Sequence, residues 1–366
     1  MHILAFNWKD ITHPHMGGAE IHLHEQAKRW INKGHSVTLY CPRYKGSAKK
    51  ETIDGVQIYR CGGKFSTYLY APFVYLFQLR KQCDVILDIE NGIPFFTPLF
   101  SRKPVLLQMH HVHKNVFFRE LPPFIAWFPY LLETILMPLV YRNKKIIAVS
   151  QSTADETEKL GFHTNNISII HNGIRVKPFP ALGKKAPQPT LIYLGRMMKY
   201  KQLDVLLQVF QTIQKRIPDI RLYLVGSGPE LGSLKTLVQK EKIHHVTFYD
   251  FVTEQQKITL LQEAWIFVTP SSLEGWGITV IEANACGLPA VSFNVPGLRE
   301  AIQHQKTGFV VPDQEAMQNA LIELIKNPTL RAKLGKNAMQ WSKKFTWDKA
   351  AEQTMRLFIE VTHATA

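Results

Sequence analysis

Residues 272–287 read SLEGWGITVIEANACG, in which Glu274 and Glu282, eight positions apart, bracket a turn broken by Gly275, Trp276 and Gly277. The apolar run 266–268 just upstream reads as a buried strand. The turn therefore falls at a strand's carboxyl end, where open α/β sheets collect their ligands. Gly275 and Gly277 carry no Cβ, so backbone N–H groups there can approach a bound group closely. A helix beginning near Ile278 and Thr279 adds unpaired N–H groups and a partial positive charge, which suit a phosphate. Glu274 in the turn and Glu282 one turn into the helix can each accept hydrogen bonds from hydroxyls. A phosphate between two hydroxylated groups is the outline of a nucleotide sugar.

Two other readings of the pair compete with this one. Glu274 can be an acid at a helix N-terminus and Glu282 a solvated helix residue. The two can also be the carboxylates of a glycosidase, but nothing else in the chain builds an acid and a base flanking a water-fed groove.

Short apolar runs recur through the chain, interleaved with helical patterns, and predict an α/β fold with parallel sheets. In the first half they are 3–6, 37–40, 85–87, 105–107 and 146–149, separated by helices such as 21–31 and 68–79. The second half repeats the plan with 191–194, 222–225, 246–248, 266–268 and 290–293. Between them, 176–189 carries Pro178, Pro180, Pro187 and Pro189 and reads as a linker. Phe345-Thr346-Trp347-Asp348 reads as the start of a last helix running through Phe358, with Thr346 as its N-cap.

The motif E-G-W-G-x-x-x-x-E-A-x-A-C-G resembles the paired-glutamate signature of retaining glycosyltransferases of the GT-B fold, family 4. Further motifs fall in the family's order along nearly the whole chain. They are Gly17-Gly18-Ala19-Glu20, Gln108-Met109-His110-His111, Ala148-Val149-Ser150, His171-Asn172-Gly173, Gly195-Arg196 with Lys199-Tyr200-Lys201, and Val225-Gly226-Ser227-Gly228-Pro229. The resemblance implies two Rossmann-like parallel-sheet domains facing across a cleft: an acceptor-binding domain at 1–178 and a nucleotide-sugar-binding domain at 190–345. It also implies a terminal helix, 346–366, that crosses back to the first domain.

The resemblance further implies transfer of a hexose-like sugar from a nucleoside diphosphate to an acceptor hydroxyl with retention, without a metal or resident cofactor. Arg196 and Lys201 occupy the places that grip the diphosphate. Arg offers a bidentate fork and Lys a mobile point charge, and without a metal some group must neutralise the departing diphosphate. Glu282 would bind the ribose, and Glu274 with the backbone of Gly275, Trp276 and Gly277 the sugar. Gly17 and Gly18 would bring N–H groups to a phosphate or the acceptor. The turn at Gly226 belongs to the donor side, and the base would lie against the backbone at Phe251 and Val252. His110 stands where the family's histidine meets the donor sugar, while His111 stands where many relatives carry aspartate. The segment 88–98 would line the acceptor side. The acceptor would be a polysaccharide, a lipid-linked sugar or a small molecule, and the setting envelope polysaccharide or glycolipid assembly.

Composition agrees. At 366 residues, 45% hydrophobic and 20% charged, the chain has room for two ordinary domains. The N-terminus shows no basic region with a cleavage site, so no signal peptide is expected. Cys41, Cys61, Cys83 and Cys286 show neither metal nor disulfide spacing and suit a reducing cytoplasm. Histidines cluster at His110, His111 and His113, and pair at His13/His15 and His22/His24, yet no carboxylate or cysteine spacing accompanies them as a metal site requires.

The net charge of +15 would suit a nucleic-acid-binding protein, but no basic stripe interleaved with aromatics or recognised motif supports one. A sugar-nucleotide epimerase of the same two-domain plan is the alternative enzyme; the glutamate pair with Arg196 and Lys201 favours transfer. The stretch 117–141 is rich in aromatics and leucine and is followed by Arg142, Lys144 and Lys145. Prolines and Glu133 interrupt it, so its uncharged run is too short to span a bilayer. It reads either as a core or cleft-lining helix or as an apolar surface dipping into an anionic membrane. The second reading makes the protein peripheral on the inner face of the cell membrane.

Overall fold

Strand β1 (His2–Phe6) is buried along almost its whole length and lies between β2 (Ser36–Cys41) and β5 (Val85–Glu90), paired parallel to both. Around it the first sheet grows to eight strands. β3 (Lys50–Ile53) and β4 (Val56–Arg60) extend it beyond β2, and β6 (Val105–Met109), β7 (Lys145–Ala148) and β8 (Ile167–Ile169) extend it beyond β5. All pairings are parallel except that of the edge strand β3. The computed structural model describes residues 1–175 and 184–364, without the side chains of residues 115, 119 and 120. Of the linker expected over 176–189, the part 176–183 lies outside the described residues.

The second sheet has six strands, all parallel, in the order β11-β10-β9-β12-β13-β14. They are β9 (Thr190–Leu194), β10 (Arg221–Val225), β11 (Val246–Tyr249), β12 (Ile266–Thr269), β13 (Ala290–Phe293) and β14 (Gly308–Val311). The order reverses between β9 and β12, as it does between β1 and β5 in the first sheet. Each reversal opens a crevice at the carboxyl ends of the strands.

The chain divides into two compact units. One comprises Met1–Gly173 with the closing helix Trp347–His363, the other Ile174–Thr346. The closing helix buries Trp347, Ala350, Ala351, Thr354, Met355 and Phe358, the one-sided spacing of an amphipathic helix. That face packs on helix Gly18–Asn32, where Trp30 stacks edge-on to Phe358 and donates its indole N–H to the Ala351 carbonyl at 2.9 Å. These helices cover the face of the first sheet that Ile3 and Ala5 present. The opposite face, with Leu4 and Phe6, is covered by the helical segments following β4 and β6.

Several expectations need correction. β5 runs on through Glu90, so Asp88 and Glu90, placed at a strand end by the sequence, are fully buried strand residues. Asp88 survives there because the N–H groups of Phe95 and Thr97 reach its carboxylate at 3.0 and 3.1 Å and the Tyr141 hydroxyl donates to it as well. Strands β3, β4, β8 and β14 escaped the apolar-run reading. β4 ends in a buried Arg60 paired with Asp10 at 2.7 Å, and β3 exposes most of its residues. The closing helix continues past Phe358 to His363. Pro123–Tyr141 is one helix of 19 residues, long and apolar enough by composition to cross a membrane, contrary to the expectation that its interruptions shorten it. Its Ala126, Glu133, Met137 and Tyr141 are nonetheless buried within the unit.

Candidate functional site

At the reversal in the second sheet, the segments leaving β9 and β12 are tied together. Ser272 donates both its backbone N–H and its hydroxyl to the Tyr200 carbonyl, at 2.9 and 3.0 Å. This anchors the short turn Lys199–Lys201 against the glutamate loop. Lys201 is buried and its ammonium is hydrogen-bonded to the Glu274 carboxylate. Arg196 is exposed on the same strand end. Burial pushes the Tyr193 phenol well above its ordinary pKa, Glu274 adds to the rise and Arg196 opposes it, so both charges act on one ring.

The helix after the turn is Ile278–Ala285, and Gly277 caps it with φ 86° and ψ 51°, a left-handed conformation that suits glycine. A Cβ on Gly277 would meet the Leu298 side chain at 3.0 Å, a tight approach that adds to the conformational preference for glycine. The first N–H groups of this helix, at Ile278 and Thr279, have no acceptor within the helix. Glu282 lies inside it, 7% exposed. Its carboxylate accepts a hydrogen bond from Lys257 at 2.7 Å, and Lys257 also pairs with Glu254 at 2.8 Å. Burial raises the Glu282 pKa and Lys257 opposes the rise. For Lys257, burial works against the ammonium but the two carboxylates outweigh it, and its pKa is raised. Lys257 lies on helix Glu254–Glu263, which begins directly after Phe251-Val252 and is capped by Thr253. It was not singled out from the sequence, where a lysine on a polar helix carries no signal.

The other expected donor residues differ in setting. The Trp276 ring is buried 4.9 Å from Phe345 and packs within the unit. The Gly226 N–H bonds the Tyr249 carbonyl at 2.8 Å, and a Cβ at Gly226 would lie 2.1 Å from the Gly195 carbonyl oxygen. Glycine there lets the strand-end loops of β9 and β10 touch. Phe251 is 95% exposed, beyond the end of β11.

In the first unit, Gly17 and Gly18 open helix Gly18–Asn32 beside the reversal between β1 and β5. The Gly17 N–H is taken by Glu20 at 2.6 Å, so it is not available to a ligand in this state. Glu20 is in turn within 3.4 Å of the Asn91 amide at the end of β5. His110 follows β6 and is buried. Its Nε2 has no hydrogen-bond partner among the described residues, and its ring stands perpendicular to His22 at 5.2 Å. His22 lies 2.5 Å from Asn172 and from the Gln26 amide. Burial lowers His22 to about 4, and burial with the His22 neighbour holds His110 well below 6.5. Both imidazoles are neutral at pH 7. His171 bonds the Val149 carbonyl at 2.9 Å and shapes its loop.

His113 has a different setting. Its Nδ1 lies 3.5 Å from Glu90 and 3.4 Å from Glu133, and all three offer ligand atoms within 4.8 Å of one another. The sequence showed no carboxylate spacing near the histidines; the fold supplies two carboxylates from distant elements. Their oxygens already serve the backbone. Glu133 accepts the N–H groups of His113 and Lys114, each at 2.6 Å, and Glu90 that of Gly92 at 2.6 Å. Burial works against the imidazolium, but the carboxylates prevail and raise His113 to about 9. A protonated His113 thus neutralises part of this buried charge and fixes the loop after β6.

The chain matches the Glycosyl transferases group 1 family over residues 176–341 and Glycosyltransferase Family 4 over residues 16–177. It is 30% identical over 284 residues to an uncharacterized glycosyltransferase of Haemophilus influenzae, covering 74% of this chain and 75% of that one. It is also 30% identical over 255 residues to a D-inositol 3-phosphate glycosyltransferase of Streptomyces avermitilis, of which it spans 54% of the length. An Anabaena protein crystallised with UDP and glucose has the same fold, with a TM-score of 0.75 at 18% identity, over 97% of this chain and 98% of that one. The chain belongs to the group 1 glycosyltransferases of the GT-B fold, and it is a glycosyltransferase by class.

Proposed function

We propose that this glycosyltransferase moves a hexose-like sugar from a nucleoside diphosphate to an acceptor hydroxyl, retaining the anomeric configuration and working without a bound metal. The observation carrying this reading is the junction of the β9 and β12 strand ends, where Arg196, Lys201, Glu274 and the N-terminus of Ile278–Ala285 converge. In it, Arg196 and Lys201 take the diphosphate. Lys201 now neutralises Glu274; a diphosphate would compete for that ammonium and release the carboxylate to sugar hydroxyls. Glu282, held by Lys257, accepts from the ribose hydroxyls. The N–H groups of Ile278 and Thr279 face the diphosphate.

His110 orients the transferred sugar as a neutral imidazole, which its burial and unpartnered Nε2 support. No side chain is assigned as a nucleophile. The acceptor oxygen attacks the anomeric carbon on the face the diphosphate leaves. The C–O bond to the diphosphate breaks as the new one forms, and the acceptor proton passes to a departing phosphate oxygen. Positive charge from Arg196, Lys201 and the helix N-terminus stabilises that leaving group. The Anabaena likeness supports trying uridine donors first, and the inositol-phosphate relative supports small polyols among the acceptors.

A thermal-shift panel of UDP, GDP, ADP and CMP with their sugar nucleotides, on wild type and Glu282→Ala, tests the donor. A ligand at a hundred times its Kd adds about 2.7 kcal/mol. One diphosphate should shift the wild type and lose most of that shift in the variant. Absence of any shift would remove the reading. Product NMR and an EDTA control test retention and metal independence.

A further inference from the structure

The first unit carries a surface that donor chemistry does not use. Of the eighteen large apolar side chains exposed among the described residues, fifteen fall between Phe65 and Leu139, and the second unit presents one, Phe251. Most of the fifteen sit on two helical segments. One runs through Ser66–Val74 into the wide turn Tyr75–Leu79, and the other is Pro123–Tyr141. Both pack on the same face of the sheet, the first through Ala71, Val74 and Tyr75 and the second through Met137 and Tyr141. Their outer faces are also apolar. Leu69, Phe73 and Phe77 recur every four residues on one, and Phe124, Phe128, Leu131 and Ile135 follow helical spacing on the other, with Phe77 and Phe124 each 81% exposed. Helices apolar on every side are found buried in protein or in lipid.

The segment between the helices joins the two stripes. The Tyr75 ring lies tilted against Phe100 at 5.6 Å, Tyr141 against Phe96 at 6.2 Å, and Leu99 between them is 66% exposed. Among the described residues the charge around this surface is mostly positive. Arg80 and Lys81 lie just before β5, Arg102 and Lys103 just before β6, and Arg142 and Lys144 just before β7. Those three strands are neighbours, so the six cations gather along one edge of the sheet, where both helices end. The lone acid on the two helices, Glu133, is buried on backbone N–H groups. Asp84, beside β5, is bonded to the His2 N–H at 2.7 Å.

We propose that this face lies flat on an anionic phospholipid bilayer. The outer side chains of the two helices enter the boundary between headgroups and acyl chains, and the six cations meet the headgroups along the rim. Pro123–Tyr141 lies in the plane of the surface. Crossing it would tear Glu133 from the His113 and Lys114 backbone and strip Met137 and Tyr141 from the sheet. A continuous apolar floor fringed mostly by cations matches an anionic bilayer, whereas interfaces between protein copies need acids to answer the cations. Both helices begin at the carboxyl edge of the sheet, where Asn91 and His110 also lie. That edge therefore borders the lipid surface and can receive an acceptor carried in it.

The test is flotation of the full chain with phosphatidylcholine vesicles, with and without phosphatidylglycerol. It uses two variants, Trp127→Ser/Phe128→Ser and Arg80→Glu/Lys81→Glu/Arg142→Glu. All five positions are exposed, so circular dichroism and the nucleotide thermal shift should stay at wild-type values and report intact folding. The wild type should float with anionic vesicles. The aromatic pair should lower partitioning about tenfold or more, and reversing the cations should lower it by roughly fivefold for each position. No flotation with anionic vesicles, or flotation that neither variant weakens, overturns the proposal. A self-associated wild type that the aromatic pair makes monomeric, without vesicle binding, would assign the face to a second copy and overturn it equally. Flotation requires no donor, so failure of the nucleotide panel leaves this result standing on its own.

Discussion

The ammonium of Lys257 lies 2.7 Å from the carboxylate of Glu282, joining helix Glu254–Glu263 to helix Ile278–Ala285 within the second unit. The side chains are only 14% and 10% exposed, so each charge depends on the other. Lys257→Met should cost about 3 kcal/mol in urea unfolding because it leaves a buried carboxylate unpaired. Lys257→Met/Glu282→Gln should recover much of that. A double-mutant cycle with coupling near zero would show the pair to be incidental.

Gly226 is required by close packing before any ligand arrives. Its φ of +130° and a Cβ placed 2.1 Å from the Gly195 carbonyl oxygen leave no room for alanine. Gly226→Ala should lower Tm by several degrees without nucleotide, from about 3 kcal/mol of lost stability. An unchanged Tm with weaker donor binding would instead put this glycine's importance in the ligand.

Two histidines should shape the pH dependence of stability in opposite windows. His113 is raised to about 9. Its contribution is complete below its unfolded pKa of roughly 6.5 and is lost as pH rises through about 9. His22, lowered to about 4, acts in the other direction. The unfolded chain takes up its proton first, so stability falls as pH drops from roughly 6.5 towards about 4. The deficit of His113→Gln relative to wild type should shrink as pH rises through about 9, and that of His22→Asn should shrink as pH falls towards about 4. A parallel offset at every pH would contradict this.

Arg196 is exposed and forms no ion pair among the described residues, so its loss should spare stability. Calorimetric titration of Arg196→Ala with the preferred nucleoside diphosphate should show Kd raised about tenfold or more, from lost charge-assisted hydrogen bonds of roughly 1.5–3 kcal/mol each. The corresponding nucleoside should bind both proteins alike. Equal Kd values for the diphosphate would take Arg196 out of the site.

What could be read from residues alone was local. The strand read at 266–268, the turn at Gly277 and the helix from Ile278 appear where the sequence puts them, because conformational preference and apolar runs act over a few residues. The same holds for the central strands of both sheets, whose parallel burial makes them continuous apolar runs. β3 and β8 were invisible because edge strands need no apolar run. Asp88 and Glu90 read as residues at a strand end because a carboxylate in a central strand is stable only when backbone N–H groups from elsewhere reach it.

By itself, then, the sequence determined two α/β halves and the glutamate turn at a strand's carboxyl end, both written in short-range patterns of apolarity and glycine. Only the tertiary structure decided which charges face each other: Lys257 with Glu282 and His113 with Glu90 and Glu133. It alone also showed that Pro123–Tyr141 turns aromatic side chains outward, because a helix apolar on all sides gives periodicity no face to choose. Such pairings depend on where the sheet brings distant segments together, and on desolvation that no residue carries until the others surround it.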